Sequence, residues 1–345
     1  MRAYVSTGII ALLAGAAVAH GLAHEDGPTR APAPAPFTKT RSPPHFARTF
    51  RASRFLRGNV HTHTTRSDGD ASPVDVIRWY RDHGYAFLAL TDHNALSAAG
   101  PLPTGKTPDL TLVPGEEVSM YVHGKQVHVN ALCTHATIAG GDFPTVHDAL
   151  AHAVGETLAQ GGVALLNHPN FDWALTPDDV RGAEGAALLE IASGHPYVHT
   201  DGDATHPSHE QLWDDALTAG HDLMGVAVDD THRLVDDGDP DAVPGVAWIE
   251  LFADEGLDLC DALRRGALYA STGAEIASID VSRATYEVKA APDATVVFVG
   301  EAGRTLAKAA GDAAWYQVKG DEGYVRARVE STAGKAWTPA VRVLP

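Results

Sequence analysis

Between residues 55 and 277 short apolar runs alternate with longer segments of helical spacing. Phe55 to Val60 predicts a strand that runs straight into His61. Ser72 and Pro73 are N-terminal helix signals, and Gly84 sits where that helix stops. Tyr85 to Leu90 is a buried-strand run that ends at Thr91-Asp92-His93. Leu110 to Val113 precedes Pro114-Gly115-Glu116-Glu117, and Val127 to Leu132 alternates His128 and Asn130 with apolar neighbours. Val146 to Gln160 reads as a helix, and Val163 to Leu166 as a strand entering Asn167-His168-Pro169. Ala187 to Ile191, Met224 to Val228 and Val246 to Phe252 read as further strands. Glu210 to Ala219 and Leu257 to Arg265 read as helices.

Strands alternating with helices predict an α/β fold with parallel pairing. Polar residues follow the C-terminal end of strand after strand, and in a parallel barrel those ends converge on the active face. This favours a barrel over an open sheet and leaves the open sheet as the alternative. After about Ser278 the texture changes to short alternating segments separated by turns: Tyr286 to Lys289, Thr295 to Val299, Trp315 to Val318, Tyr324 to Val329 and Val341 to Leu344. They predict a small antiparallel β domain over 278–345.

The N-terminal end differs from both. Val5 to Ala19 is almost continuously apolar or small, and Ala17-Val18-Ala19 or Gly21-Leu22-Ala23 supplies a cleavage site. This predicts a secretory signal peptide over 1–23, hence a periplasmic or secreted protein with no stable membrane span after cleavage. An uncleaved anchor is the alternative. The alternating Ala-Pro stretch within Gly27 to Pro44 cannot pack a core, so residues 24–54 are expected to be a linker to a catalytic domain over 55–277.

Composition narrows the chemistry. The formal net charge of −18 over 345 residues repels a phosphate backbone, so no nucleic-acid polymer is expected as a partner. The 19 histidines fall in patterned clusters, and histidine is the commonest protein ligand for transition metals. The two cysteines, Cys133 and Cys260, are expected to be two small buried apolar side chains rather than a bridge.

His61 and His63 lie two apart after a strand, so both imidazoles face one side. Asp68 follows in a polar loop, and His93 closes the next strand. Glu116 and Glu117 point oppositely on extended backbone, so one of them enters the site. His128, His168 and the Asp230-Thr231-His232 pair complete the set. Imidazoles mixed with carboxylates suit zinc, manganese or iron better than calcium. The set exceeds the three protein ligands of a catalytic zinc and fits two or three divalent ions. Such sites generate a bridging hydroxide and clamp both the attacking and the leaving oxygen.

His61-Thr62-His63 with Ser67-Asp68-Gly69, then Thr91-Asp92-His93-Asn94, Pro114-Gly115-Glu116-Glu117, His128-Val129-Asn130, Asn167-His168-Pro169 and Asp229-Asp230-Thr231-His232 resemble the ordered motifs of the polymerase and histidinol phosphatase (PHP) superfamily. The resemblance runs from about Arg57 to Gly273 and is nearest to the CehA/McbA-like metallohydrolase branch. It implies a distorted (β/α)7 barrel of PHP type with a di- or trinuclear metal centre. The activity it implies is hydrolysis of a phosphomonoester or phosphodiester, with carbamate or carboxylic esters as the alternative substrates. By the same resemblance His61, His63, Glu117 and Asp230 hold one region of the cluster, and Asp68, His93, His128, His168 and His232 complete the others. Glu117 is preferred to Glu116 because the family pattern reads Pro-Gly-x-Glu, and Asp230 to Asp229 because it reads Asp-x-His.

Four neighbours are candidates for catalysis. Asp92 would orient a ligand imidazole or, alternatively, cap a loop. Arg66 and Arg233 would bind an anionic oxygen. His195 or His199 would give a proton to a leaving group, with His199 the better fit to a solvated loop residue. The remaining histidines, His206 and His209 among them, carry no motif. The expected function is an exported metal-dependent hydrolase of small-molecule esters, a phosphoesterase first. A non-catalytic metal-binding protein is the competing class. Loops Ser97–Asp109, Ile138–Thr145 and Pro196–His209 are expected to select the substrate.

Overall fold

A computed structural model of the chain describes residues 43–97, 100–101, 110–234, 242–253, 258–310, 312 and 314–345. The signal-peptide reading, the linker reading up to residue 42 and most of the Ser97–Asp109 loop lie outside them. Ser42–Pro345 is one compact unit.

Its helices begin where local hydrogen bonding fills their unpaired amides. Ser72 accepts from the Asp75 amide to start Pro73–Asp82, and Thr145 accepts from Asp148 to start Val146–Ala159. Ser208 and Gln211 form a reciprocal box before His209–Thr218. Leu259–Arg264 is capped by Asp258.

The strands of the catalytic half fall into two sheets. In one, Val163–Leu166, Leu188–Ser193 and Met224–Val228 run parallel, and Val163–Leu166 pairs antiparallel with Lys125–Leu132. In the other, Phe55–Asn59 pairs parallel with Phe87–Ala89, and that strand with Thr111–Val113. On its other side Phe55–Asn59 pairs antiparallel with Trp248–Phe252. The fold is therefore mixed α/β, but its described strands do not close into the expected (β/α)7 barrel. Among the described residues the two sheets meet through three single bridges, Thr62 to Thr231, His93 to Glu117 and Ser97 to Gly115. Asn94 and Asp230, each beside a bridging residue, have φ of 52°. That left-handed backbone takes the chain out of the ladder at the seam.

Glu116 and Glu117 sit inside a long strand rather than on a loop. Gly115–Val122 and Lys125–Leu132 form a regular hairpin. Its turn, His123-Gly124, has φ of 52° and 81°, the twist that suits a two-residue hairpin.

The C-terminal strands do not form a separate body. Leu268–Ser271 pairs with Gly334–Trp337, so the catalytic sheet runs on into the β unit. Within the expected linker over 24–54, residues 45–46 and 50–52 are paired strands. His45–Phe46 pairs with Val343–Leu344, and Phe50–Ala52 with Ile279–Val281. Phe46 and Phe50 pack edge-on against Tyr286, and this apolar burial holds the segment down. Cys133 and Cys260 are joined as a disulfide with Cα atoms 5.9 Å apart. This corrects the unbridged reading: the end of Lys125–Leu132 and the start of Leu259–Arg264, 127 residues apart in sequence, meet only in the folded chain.

Candidate metal centre

Strand ends carry the site. Asn59 accepts from the His61 amide through Oδ1 at 3.1 Å, which sets the direction of the chain into His61. His61 and His63 then project to the same side, with Nε2 atoms 3.2 Å apart. The loop beyond folds back closely. A Cβ on Gly69 would come 2.7 Å from the His63 carbonyl carbon, so this position accepts only glycine without a shift.

Glu117 lies at the centre. Its carboxylate is within 3.3 Å of nitrogens of His61, His63, His93, His128 and His168. Asp230 Oδ1 is 3.1 Å from His61 Nε2 and 3.2 Å from His63 Nε2. Asp68 is 3.3 Å from both His63 and His93 and 3.5 Å from His232. The nine sequence-selected residues thus fall into four groups whose candidate ligand atoms lie within 4.8 Å of one another. The groups overlap: His61, His63, His93 and Glu117 each belong to two.

Both pairs of alternatives resolve by direction. Glu116 turns away and accepts from the Ile138 amide at 2.7 Å, whereas Glu117 faces the histidines. Asp229 accepts from the amides of Gly245, Val246 and Ala247, from Tyr80 and from Asn59. It is a buried structural anchor, with its carboxyl pushed up to about 6 by burial.

The other candidates divide. Asp92 touches no ligand imidazole. It accepts from the Thr64 amide and hydroxyl and from Ser67, so it ties down the loop after His63. The Arg66 guanidinium donates to Leu96 O and Ser97 Oγ. Arg233 is half-buried, and its backbone amide donates to Ala242. Neither arginine lines the cavity over the cluster, although Asp68 and His232 of the same loops do. His195 does line that cavity, its ring 5.2 Å from that of His232. His199 is exposed and outside it.

Three supporting residues were given no role from the sequence. Glu190 lies 2.6 Å from His61 Nδ1 and accepts from the His168 amide at 2.8 Å. Ser119 is 2.6 Å from His93 Nδ1. Asn167 donates to Glu117 Oε1 at 2.7 Å. For Glu190 a signal existed, a carboxylate inside the apolar run Leu188–Ser193.

The electrostatics are those of a cation site holding protons. Burial alone would lower His63, but hydrogen bonds to Asp230 and Glu117 hold it up at about 9. His61 is raised in the same way against its burial by Asp230, Glu117 and Glu190. Glu117 and Asp230 are held well below the usual carboxylate range, because the surrounding imidazoles outweigh burial. Both ring nitrogens of His128 are buried without a well-directed hydrogen bond, although Nδ1 stands 2.9 Å from Glu117 Oε1. Such polar atoms are costly unless a ligand takes them, and carboxylate oxygens with imidazole nitrogens are the donor set of a divalent transition metal. The residues therefore fit metal ions.

The cavity over the cluster has a volume of about 210 Å³ and is walled by the clustered side chains together with Gln126, Phe171, His195 and Val198.

No family model matches the chain, and no curated protein matches it. Solved structures do. A two-domain protein of Bacteroides vulgatus containing a predicted PHP-like metal-dependent phosphoesterase shares 16% identity, over 86% of this chain and 97% of that one, with a TM-score of 0.43. A protein of Bifidobacterium adolescentis assigned as a metal-dependent phosphoesterase shares 16%, over 54% and 90%, at 0.37. An amidohydrolase of Chromobacterium violaceum with bound sulfate shares 19%, over 54% and 89%, at 0.37.

Proposed function

We propose that the chain is an exported, metal-dependent hydrolase that cleaves small-molecule phosphoesters. The overlap of the four ligand groups through His61, His63, His93 and Glu117 carries this reading. Glu117, with two carboxylate oxygens, would bridge neighbouring ions, and each imidazole nitrogen would serve one of them, so the overlapping groups would hold ions close together, which a storage site does not need. Bound divalent ions lower the pKa of water and stabilise charge on ester oxygens.

The chain's own residues prepare that chemistry. Glu190 accepts a hydrogen bond from His61 Nδ1–H, which fixes the tautomer whose Nε2 lone pair faces inward. Ser119 holds His93 from the same ring position. His195 Nδ1 accepts from the Tyr197 amide at 3.3 Å, so a neutral His195 carries its proton on Nε2. Burial lowers its pKa. We assign its Nε2–H as the hydrogen-bond donor to the leaving oxygen; to protonate that oxygen outright the ring would first take up a second proton.

Export is supported by the apolar N-terminal run and by the Cys133–Cys260 disulfide, a bond that persists in oxidising compartments. Among the described residues no helix is long and apolar enough to cross a membrane.

The test is hydrolysis of p-nitrophenyl phosphate and bis(p-nitrophenyl) phosphate by purified protein. Activity should vanish with EDTA and return with Mn²⁺ or Zn²⁺. Cleavage of p-nitrophenyl acetate alone would shift the assignment to carboxylic or carbamate esters. No turnover of any ester by metal-loaded protein would leave a metal-binding protein.

A further inference from the structure

The hydrolase reading above leaves the non-reacting part of the ester undefined, and the second wall of the cavity bears on it. Phe171 and Val198 line that wall. Val198 is itself buried, 1% exposed, whereas Phe171 is half-buried and packs into none of the hydrophobic cores of the described residues. Phe171 instead lies among site histidines, its ring 5.3 Å from His168, 6.5 Å from His128 and 6.2 Å from His195. An aromatic ring kept out of every core and half-buried over a reactive cluster offers its surface to something else.

The backbone that presents it is unusual. Asp172 and Trp173 are consecutive non-glycine residues with φ of 54° and 51°. L side chains avoid this region, so the surroundings must hold it. The Trp173 ring stacks on His206 at 3.9 Å and 14° and on His199 at 4.4 Å and 11°. Asn170 donates to His199 O at 3.1 Å and to Pro207 O at 2.9 Å. Lys125 Nζ donates to Trp173 O at 3.0 Å. These contacts rivet the turn bearing Phe171 to the loop bearing Val198.

We propose that Phe171 and Val198 form a preorganised subsite for an apolar substituent, with Trp173 as the positioning residue that holds it. This deepens the hydrolase reading: the substrates are compact esters with an uncharged apolar group beside the reacting bond, rather than sugar, nucleoside or polyphosphate esters. The cavity of about 210 Å³ is shared between the reacting group and its substituent, so the substituent is compact.

Binding of two non-hydrolysable probes to Mn²⁺-loaded protein tests this without turnover. By calorimetry, phenylphosphonate should bind more tightly than methylphosphonate. Phe171→Ala should cut that preference about tenfold, the scale of one aromatic contact, with metal content unchanged. Trp173→Ala should do the same, and Trp173→Phe should restore most of it. Equal binding of the two probes to the unaltered protein, or an equal loss of both in Phe171→Ala, overturns the subsite. A wild-type preference in Trp173→Ala overturns the positioning role. Failure to hydrolyse any ester while the phenyl preference stands would count against the hydrolase reading alone.

Discussion

Glu190 is the residue on which the orientation of His61 turns. It is fully buried, binds His61 Nδ1 and also accepts the His168 amide. Replacing such a partner of a metal-binding histidine typically weakens metal affinity about 10–100-fold. Glu190→Gln should show that loss in a chelator-competition titration with its circular dichroism spectrum retained. Unchanged affinity would contradict the role. His63 gives a pH prediction. Without metal its pKa is about 9, above its ordinary 6.5. The stability contributed by its pairing with Asp230 and Glu117 is full below pH 6.5 and is lost as pH rises through 9. A metal ion must displace that proton, so affinity should rise with pH up to about 9. Metal binding at pH 7 should also release protons, seen as a dependence of calorimetric heat on buffer ionisation enthalpy. Heat independent of the buffer would show that the imidazoles are already neutral.

At the scale of elements, an ion network joins the helix His209–Thr218 to the strand Tyr324–Ser331. Arg326 is fully buried and donates to Asp214 at 2.8 and 2.7 Å and to Glu210 at 2.7 Å. Its guanidinium lies 4.7 Å from the Trp213 ring, and Tyr324 donates to the same Asp214. Removing one member leaves a buried charge uncompensated, a change that costs about 3–5 kcal/mol. Arg326→Ala should lower unfolding stability by that amount in urea titration, and adding Asp214→Ala should cost less than the sum of the two single changes. Additive losses would mean that the pair is not coupled. The sequence shows an ordinary strand here. The partners of Arg326 are more than 110 positions away, so no local pattern marks them.

At the scale of the whole molecule, the Cys133–Cys260 disulfide closes a loop with a sequence separation of 127. Long closures restrict the unfolded chain most, and native disulfides contribute roughly 2–5 kcal/mol. Reduction should therefore shift the urea midpoint downward, and Cys133→Ala with Cys260→Ala should reproduce the shift. An unmoved midpoint would assign the bond no stabilising role. The same bond ties the hairpin strand bearing His128 to Leu259–Arg264, so it braces the cluster from outside.

The sequence by itself determined which residue types stand at which strand ends. Chain connectivity and the two-residue period of extended backbone put His61 with His63 on a common side, and polar groups after apolar runs marked the rest, whereas Asp230 reaches the cluster from a left-handed backbone that breaks that period. Helix caps such as Ser72 and Ser208 are local hydrogen bonds, and they too were legible. Only the tertiary structure decided how the strands pair. The long hairpin, the seam in place of a closed barrel, the disulfide and the strands at residues 45–52 all depend on partners far along the chain. It also separated Glu117 from Glu116, showed that Asp92 ties down a loop, and revealed Glu190 behind His61. Which way a side chain faces, and what waits there, is set by packing, and packing is not written in any short stretch of sequence.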